Sequence, residues 1–503
     1  MNTYNLNYLV NSLYLIKPEL AISITLVLLV LVDLIMDKDK RLLPYISIAG
    51  LVAAGYFIIA QFSTNAFAFS TTNTAGMIII DPFGNFFKLL IVLSSVAVVL
   101  FSMLSGEINE GKERHGEYYT LIFGMILGMM FMISASDLIV VYLSLELLSL
   151  SSYVLAGFTK NSLRNSEASL KYLIYGATSS GIMLFGISIL YGLTGSTNIY
   201  EINSLIQAAN VHGFVFVLSG LLIFVGMGYK ISAAPFHFWT PDVYEGAPIP
   251  ITAYLSIASK AAGFALLIRF IKVTFIQSID PNGFWHLLDV IDWKSFLVII
   301  SILTMTLGNF AALWQNNMKR LLAYSSIAHA GYLLLGLAVL SNEGIAAIMI
   351  YFMVYAIMNL GAFLVVMLIA NKTGSEELDD YKGIGSAAPF LSVSLAILLV
   401  SLTGLPPTAG FIGKLYIFIA LVDAKMIGVA VIALLNTVVS LYYYARVLKH
   451  MFLDKSEKEL PAISSSYAAI VFVMVFVAPV LIFGVYFSPL VELAKSSVTL
   501  LGF

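Results

Sequence analysis

Several charged side chains stand inside stretches of this sequence that are otherwise almost entirely apolar, and their types could do chemistry. Burial disfavours the charged form of an amine or a carboxylate, so such a group can exchange a proton near neutral pH. Charged groups within membrane helices are rare and tend to mark paths for ions or protons. The acidic one placed mid-helix is Glu146, and the basic ones are Lys88, Lys171, Lys230, Lys260, Arg269 and Lys414.

Two of these lysines lie beside prolines that interrupt an apolar run. "GYKISAAPFHFWTPDVY" places Lys230 before Pro235, and "SLTGLPPTAGFIGKLY" places Lys414 after Pro406 and Pro407. A proline within a helix removes a backbone donor and kinks or breaks the helix. In lipid, the freed polar groups are tolerated only against protein or water. The pattern therefore predicts two broken helices that line an ion path. For Lys230, a proline kink with a snorkelling lysine is the alternative.

Lys260, in "AYLSIASKAAGFALLIRF", lies deep within its predicted helix. It is about 11 residues, or about 16 Å, from the start of the run, which is near the middle of a bilayer. Small neighbours such as Ser256, Ser259 and Gly263 allow helices to pack closely and leave room for a charge or water. The position predicts a proton-exchanging lysine, and a structural salt bridge is the alternative.

Glu146, in "DLIVVYLSLELLSLSSY", would be costly in mid-membrane without a cationic partner or a proton. Glu167 and Lys171 are spaced i, i+4 on one face of the next helix, in the favourable order for an ion pair. Glu167 lies close enough to a helix end that an ordinary surface pair is equally consistent with the sequence. We expect Glu146 to act on Lys171 or Lys230, because an opposite charge nearby holds a lysine protonated.

The histidine placed mid-span is His329, in "RLLAYSSIAHAGYLLLG". Its small and polar neighbours fit either a proton relay or a histidine held by hydrogen bonds, and both remain open. Lys88 and Arg269 lie nearer to predicted helix ends, and we expect both to snorkel towards the membrane surface.

The composition indicates that these residues belong to a membrane protein. Of 503 residues, 60% are hydrophobic and 11% are charged, whereas soluble domains carry about 25% charged residues. The net charge of −2 and the lack of a basic run argue against nucleic-acid binding. The sequence has no cysteine, which excludes disulfides and Cys-ligated iron–sulfur clusters within this chain.

Apolar runs of about 20 residues, the length that spans a bilayer, predict an all-α polytopic membrane protein with fourteen transmembrane helices. The first run is followed by "DKDKR" and is expected to be a retained helix rather than a signal peptide. No loop is long enough for a separate globular domain, so residues 1–503 are predicted to form one membrane domain. The predicted spans are 16–36, 43–62, 81–105, 117–134, 137–159, 167–193, 212–232, 249–276, 295–315, 320–340, 344–371, 388–422, 426–452 and 463–489.

Lysine and arginine are concentrated in the loops that follow odd-numbered helices, among them Lys38, Lys112, Lys160 and Lys458. This bias predicts that those loops face the cytoplasm and that both termini lie outside. One broken segment has its lysine before the proline and the other has it after. That reversed order is typical of an inverted repeat.

Four segments together resemble a known family: "DPFGNFFK", "YEGAPIPITAYLSIASKAA", "QNNMKRLLAYSSIAHAGY" and "GLPPTAGFIGK". The chain is similar to subunit N of proton-pumping NADH-quinone oxidoreductase, the family of mitochondrial complex I subunit 2 and chloroplast NDH subunit 2. The resemblance covers nearly the whole chain. It implies two inverted five-helix repeats, helices 4–8 within 117–276 and helices 9–13 within 295–452, in which helices 7 and 12 are broken. The N-terminal helices 1–3 would lie within 1–110 and helix 14 within 463–503.

The resemblance also implies a function, namely proton translocation coupled to quinone reduction as a subunit of an oxidoreductase in the bacterial cytoplasmic membrane. This chain would hold no redox centre, and quinone, iron–sulfur clusters and FMN would belong to partner membrane and peripheral subunits. The implied proton relay consists of Glu146, Lys171, Lys230, Lys260, His329 and Lys414, with Glu167 beside Lys171 and helix breaks at Pro235, Pro406 and Pro407.

Two other functions are consistent with parts of this pattern. A subunit of an Mrp-type cation/proton antiporter, not coupled to electron transfer, would need the same lysine-bearing broken helices. A structural membrane scaffold is disfavoured, because several mid-membrane charges would be costly without a function. The electron donor stays open between NADH, ferredoxin and another carrier.

Overall fold

A computed structural model describes residues 6–36, 40–70, 75–110, 114–159, 163–209, 213–289, 291–456 and 466–502. Lys38, Lys112, Lys160 and Lys458, which contribute to the predicted orientation, lie outside these ranges. Within them the chain is mainly helical, with two short antiparallel hairpins: β1 (Ala66–Ala68) with β2 (Ile78–Ile80), and β3 (Ile276–Ile279) with β4 (Trp285–Leu287).

The helices of the first half lead up to and through the first predicted break. A π-helical turn, Leu255–Ser259, connects α12 to α13. The helices are α1 (Leu6–Leu15), α2 (Lys17–Ile35), α3 (Leu43–Ala60), α4 (Pro82–Leu104), α5 (Gly106–Glu110), α6 (His115–Ser134), α7 (Leu138–Ala156), α8 (Leu163–Thr194), α9 (Ile199–Ala209), α10 (Phe214–Lys230), α11 (Trp239–Gly246), α12 (Ile249–Tyr254) and α13 (Lys260–Phe275).

The helices of the second half include the second predicted break, between α18 and α19. A short 3-10 helix, Leu378–Tyr381, follows α16. The helices are α14 (Trp293–Ala312), α15 (Met318–Ala338), α16 (Asn342–Thr373), α17 (Ile384–Ala387), α18 (Pro389–Thr403), α19 (Ala409–Asp423), α20 (Ile427–Phe452), α21 (Tyr467–Val485) and α22 (Ser488–Ser497).

The chain is a multi-pass membrane protein. Among the described residues, twelve helices are long and apolar enough to cross a bilayer, and α10 and α18 are shorter apolar helices. The outer helices expose large apolar side chains, such as Tyr56 on α3, Val438 on α20 and Val471 on α21. Water would disfavour so extensive an apolar surface, whereas lipid suits it. The predicted all-α polytopic fold is therefore confirmed, while its division into two inverted repeats stays a prediction.

Three helical segments form the interior of the molecule. Every residue from Ile249 to Phe275 is buried, and α15 and α16 are nearly as enclosed. Glycines allow α14 to approach α15 closely: an added Cβ at Gly308 would lie 2.6 Å from the Ala328 nitrogen, and one at Gly331 would lie 2.6 Å from the Met305 nitrogen. Small residues permit such close helix contacts in membranes.

The prediction that Lys88 and Arg269 snorkel is wrong. Lys88 is buried on α4, and its Nζ lies 2.5 Å from Oε1 of the equally buried Glu19 on α2. Arg269 on α13 is fully buried and forms a two-pronged pair with Asp81, with N–O distances of 2.7 and 2.9 Å. A short distance to a helix end favours snorkelling only when lipid or water lies alongside, and both side chains are instead enclosed by other helices.

Candidate functional site

The first break separates Lys230 from the helix that follows it. Helix α10 ends at Lys230, the chain passes through Pro235, and α11 begins at Trp239. The backbone groups freed by the break are bonded within the protein, since the Ala234 N–H donates to Thr304 Oγ1 at 2.9 Å and the Trp239 indole donates to the Tyr229 carbonyl at 3.0 Å. Such internal partners are what a non-helical stretch inside a membrane protein requires.

The second break brings Lys414 to a helix end. Helix α18 ends at Thr403, the chain passes through Pro406 and Pro407, and α19 begins at Ala409. The Lys414 ammonium donates to the Thr403 carbonyl at 2.8 Å. The last carbonyls of a helix have no partner within the helix, and the helix dipole also favours a cation there. The break therefore supplies the cation site.

Lys230 is buried beside Glu146 without direct contact. Its Nζ donates to Ser149 Oγ at 3.3 Å and lies 5.9 Å from the centre of the Tyr172 ring. Glu146 lies one turn before Ser149 on α7 and is close enough to attract the ammonium group electrostatically. Among the described residues, Lys230 has no salt bridge, and Glu146 Oε1 is buried with no hydrogen-bond partner. The two groups interact at longer range.

Lys171 pairs with carboxylates other than Glu146. Its Nζ is 2.7 Å from Glu167 Oε1, on the same helix, and 2.6 Å from Asp242 Oδ2 on α11. The Lys171 and Glu167 side chains are partly exposed. The structure therefore brings Glu146 to Lys230 rather than to Lys171, and places the Glu167–Lys171 pair towards the surface.

Lys260 occupies the end of the π-helical turn in the buried central segment. Its Nζ donates to the Ser326 carbonyl at 3.0 Å and to Ser326 Oγ at 2.7 Å, both on α15. A π-turn within an α-helix is uncommon and is frequently found at functional sites. Among the described residues, Lys260 has no carboxylate partner within salt-bridge distance, so nothing of opposite charge directly compensates its ammonium form.

The helix that carries Lys260 packs directly against Lys230. An added Cβ at Gly263, one turn after Lys260, would lie 2.8 Å from the Ile231 side chain and 3.6 Å from Cβ and Cγ of Lys230. Only a residue without a side chain allows this approach. The small residues near Lys260 thus bring the helices of the two lysines together.

One face of α15 connects Lys260 to the region of Lys414. Ser326, His329 and Tyr332 are spaced three residues apart on this helix, so they share a face. His329 Nδ1 is hydrogen-bonded to the Tyr351 hydroxyl at 2.6 Å. The Lys414 Nζ lies 4.5 Å from the centre of the Tyr332 ring. Polar groups therefore run from Lys260, along α15, to Lys414.

Comparison with known proteins gives the family. The model of the family described as "NADH:quinone oxidoreductase/Mrp antiporter, TM" matches residues 135–440, more than half of the chain. NADH-quinone oxidoreductase subunit N 2 of Chloroherpeton thalassium is 49% identical over 96% of this chain and 94% of that protein. The chain belongs to the subunit N family of NADH-quinone oxidoreductases.

Solved structures agree with membership of the subunit N family. A chain of respiratory complex I from Thermus thermophilus with bound aureothin has a TM-score of 0.77 and 29% identity, over 95% of this chain and 99% of that one. A chain of the Mrp complex from Dietzia sp. DQ12-45-1b has a TM-score of 0.82 at 20% identity, over 96% of this chain and 97% of that one. The second likeness shows a shared fold alone.

Two residues that contact the site in this subunit N family member were not predicted from the sequence. Asp242, the partner of Lys171, stands in "TPDVYEG" next to the first break, where an acidic residue beside a proline was a usable signal. Tyr351, the partner of His329, stands in an apolar helix that also carries Tyr355, and no local pattern distinguishes it from a core aromatic residue.

Proposed function

We propose that this chain is a proton-translocating membrane subunit of a complex I-type quinone oxidoreductase. Its family membership supports the assignment to such a complex. The proton path would consist of Lys230, Lys260, His329 and Lys414, with Glu146 modulating Lys230. The observation that carries the proposal is the line of buried amine, hydroxyl and imidazole groups along α13 and α15, which ends at the second break.

The buried lysines suit proton transfer because of what surrounds them. An ammonium ion enclosed by protein is costly without a counter-charge, so each amine is poised between its charged and neutral forms. Protonating one lysine disfavours the ammonium form of its neighbours. Glu146 biases the first site, where its carboxylate attracts the charge on Lys230. A proton accepted at Lys230 would therefore move towards Lys260 and then towards Lys414, with water molecules between them.

The remaining predicted residues have supporting roles. Glu167 and Lys171, at the partly exposed end of α8, would form the cytoplasmic side of the entrance. The breaks at Pro235, Pro406 and Pro407 free the backbone groups around Lys230 and Lys414. Quinone, iron–sulfur clusters and FMN are assigned to partner membrane and peripheral subunits. The lack of cysteine in this sequence bears on the clusters alone, because it leaves no thiolate to ligate one. The assembly would lie in a bacterial cytoplasmic membrane with both termini of this chain outside.

The proposed function is tested by changing Lys414 in the intact complex. The complex would be reconstituted in proteoliposomes, and quinone reduction and acidification of the lumen would be recorded together. We expect Lys414→Met to lower proton translocation per quinone reduced, because methionine cannot carry a proton. The matched control is Lys425→Met, which makes the same substitution at an exposed position just after the same helix. Equal translocation in the two variants would contradict the proposal.

A second prediction changes the path without removing a titratable group. Gly413 packs against Tyr351, and an added Cβ would clash with that ring. We expect Gly413→Ala to displace Tyr351 from His329 and to lower translocation per quinone reduced by about twofold or more. Gly428→Ala is the control, since an added Cβ there meets no atom within 4 Å. If Gly413→Ala translocated as many protons per quinone reduced as Gly428→Ala, a role for His329 and Tyr351 would be contradicted.

A further inference from the structure

The short helix α11, which follows the first break, is tied to two other helices by ion pairs. Asp242 Oδ2 accepts a hydrogen bond from Lys171 Nζ of α8 at 2.6 Å, and its Oδ1 accepts one from Arg320 Nη1 of α15 at 2.6 Å. Arg320 Nη1 also donates to Glu245 Oε2 at 2.8 Å. These four residues, Lys171, Asp242, Glu245 and Arg320, are called the ion cluster below.

Neighbouring contacts reinforce the connection between α11 and α15. The buried Lys319, which precedes Arg320, donates to the Ala247 carbonyl at 3.1 Å and forms an ion pair with Glu376 at 2.7 Å. The Asn165 side chain donates to the Gly246 carbonyl at 2.8 Å. The end of α11 is therefore held against the start of α15 and against α8 by both side chains and backbone.

The position of the ion cluster relates it to the central lysine. Arg320 lies in the first turn of α15, and Ser326 lies six residues later, about 9 Å along the axis. Asp242 and Glu245 lie just before the buried segment that carries Lys260. Helix α11 leads through Ala247 and Pro248 into this buried segment, which meets α15 again at the Lys260–Ser326 hydrogen bonds. A shift of α15 at the ion cluster would be transmitted along this continuous helix to Ser326, and so to its contact with Lys260.

The ion pairs between α11, α8 and α15 are weakly screened and stay charged at neutral pH. The Asp242 and Arg320 side chains are only 27% and 29% exposed, so solvent screens them less than an open surface pair. Burial raises the pKa of Asp242, but hydrogen bonds and charge attraction from Lys171 and Arg320 outweigh it and hold that pKa below its ordinary value. Asp242 therefore remains a carboxylate at neutral pH, shared between cations from two helices.

We propose that Asp242 and Arg320 are positioning residues, whose ion pair fixes α15 against the segment that follows the first break and so keeps Ser326 within hydrogen-bonding distance of Lys260. The consequence for proton transfer rests on the function proposed above. The mechanical part, that the pair holds the two segments together, stands on the contacts alone.

The test uses the complete complex in lipid nanodiscs and in proteoliposomes. Backbone hydrogen exchange would be followed in peptides covering 239–254 and 318–326, alongside proton translocation per quinone reduced. We expect Arg320→Gln and Asp242→Asn to accelerate exchange in these peptides by about fivefold or more, the effect of losing about 1 kcal/mol of local stability. Translocation is expected to fall by about twofold or more. Arg320→Lys keeps the charge and should recover most of both effects.

The control is Arg164→Gln, which removes a charge beside the same cluster. Arg164 is 71% exposed and lies 3.7 Å from Glu245, so we expect both measurements to match the unmodified complex. Unchanged hydrogen exchange in Arg320→Gln would overturn the proposal, because the ion pair would then not hold the two segments together. Faster hydrogen exchange with unchanged proton translocation would overturn it too, because the pair would then have no effect on the proton path. An unmodified complex that translocates no protons would instead overturn the proposed function, and the exchange data would still decide whether the ion pair holds the two segments together.

Discussion

Replacement of Lys260 by methionine or by arginine is expected to abolish proton translocation, with a loss of about 100-fold, the size typical of removing a positioned acid or base. Methionine cannot bind a proton, and arginine cannot release one in a protein. Both variants fill the site with a side chain of similar length. The measurement is lumen acidification per quinone reduced in proteoliposomes that contain the complete complex.

The arginine variant separates two roles that a buried lysine could have. If Lys260 served only as a fixed positive charge that binds Ser326, Lys260→Arg would retain function. If it exchanges a proton, Lys260→Arg fails as Lys260→Met does, while Lys260→His keeps a titratable group and retains part of the activity. Translocation at the unmodified rate in Lys260→Arg would remove Lys260 from the proton path.

The sequence predicted the positions of the helices better than it predicted how the helices pack against one another. The run predicted at 249–276 corresponds to the helical segment Ile249–Phe275, because bilayer thickness sets the length of an apolar helix. The helix ends at Lys230 and Thr403 likewise follow from nearby prolines, whose local effect is independent of the rest of the chain. The π-turn before Lys260 was not predicted, since it depends on how that segment packs between its neighbours.

Ion pairs between residues far apart in the chain could not be predicted from local sequence patterns. Arg269 and Asp81 are separated by 188 positions, and no periodicity links them. The short distance of Arg269 from a predicted helix end indicated snorkelling, which its burial against Asp81 contradicts. The same limit explains why Glu146 was matched equally to Lys171 and Lys230: both are basic residues on following helices, and only packing distinguishes them.

The buried pair of Asp81 and Arg269 carries the second large expected effect, this time on stability. Asp81 also accepts hydrogen bonds from the Gly84 N–H at 2.7 Å, which caps α4, and from the Leu501 N–H at 3.2 Å, so the pair joins α4, α13 and the C-terminal segment. Arg269→Met leaves a carboxylate buried without its counter-charge. We expect a loss of about 3–5 kcal/mol of stability, measured by thermal denaturation of the complex in nanodiscs.

The double variant distinguishes a charge effect from a packing effect. In Asp81→Asn/Arg269→Met the uncompensated charge is gone and the amide can still cap α4, so the double variant should be more stable than Arg269→Met alone. The control is Asp379→Asn, which removes an ion pair with Lys382 at a side chain that is 79% exposed. That change should leave the denaturation midpoint close to that of the unmodified complex, because solvent already screens such a pair. A double variant no more stable than Arg269→Met would mean that the arginine acts through its packing and its hydrogen bond to the Ile133 carbonyl rather than through its charge.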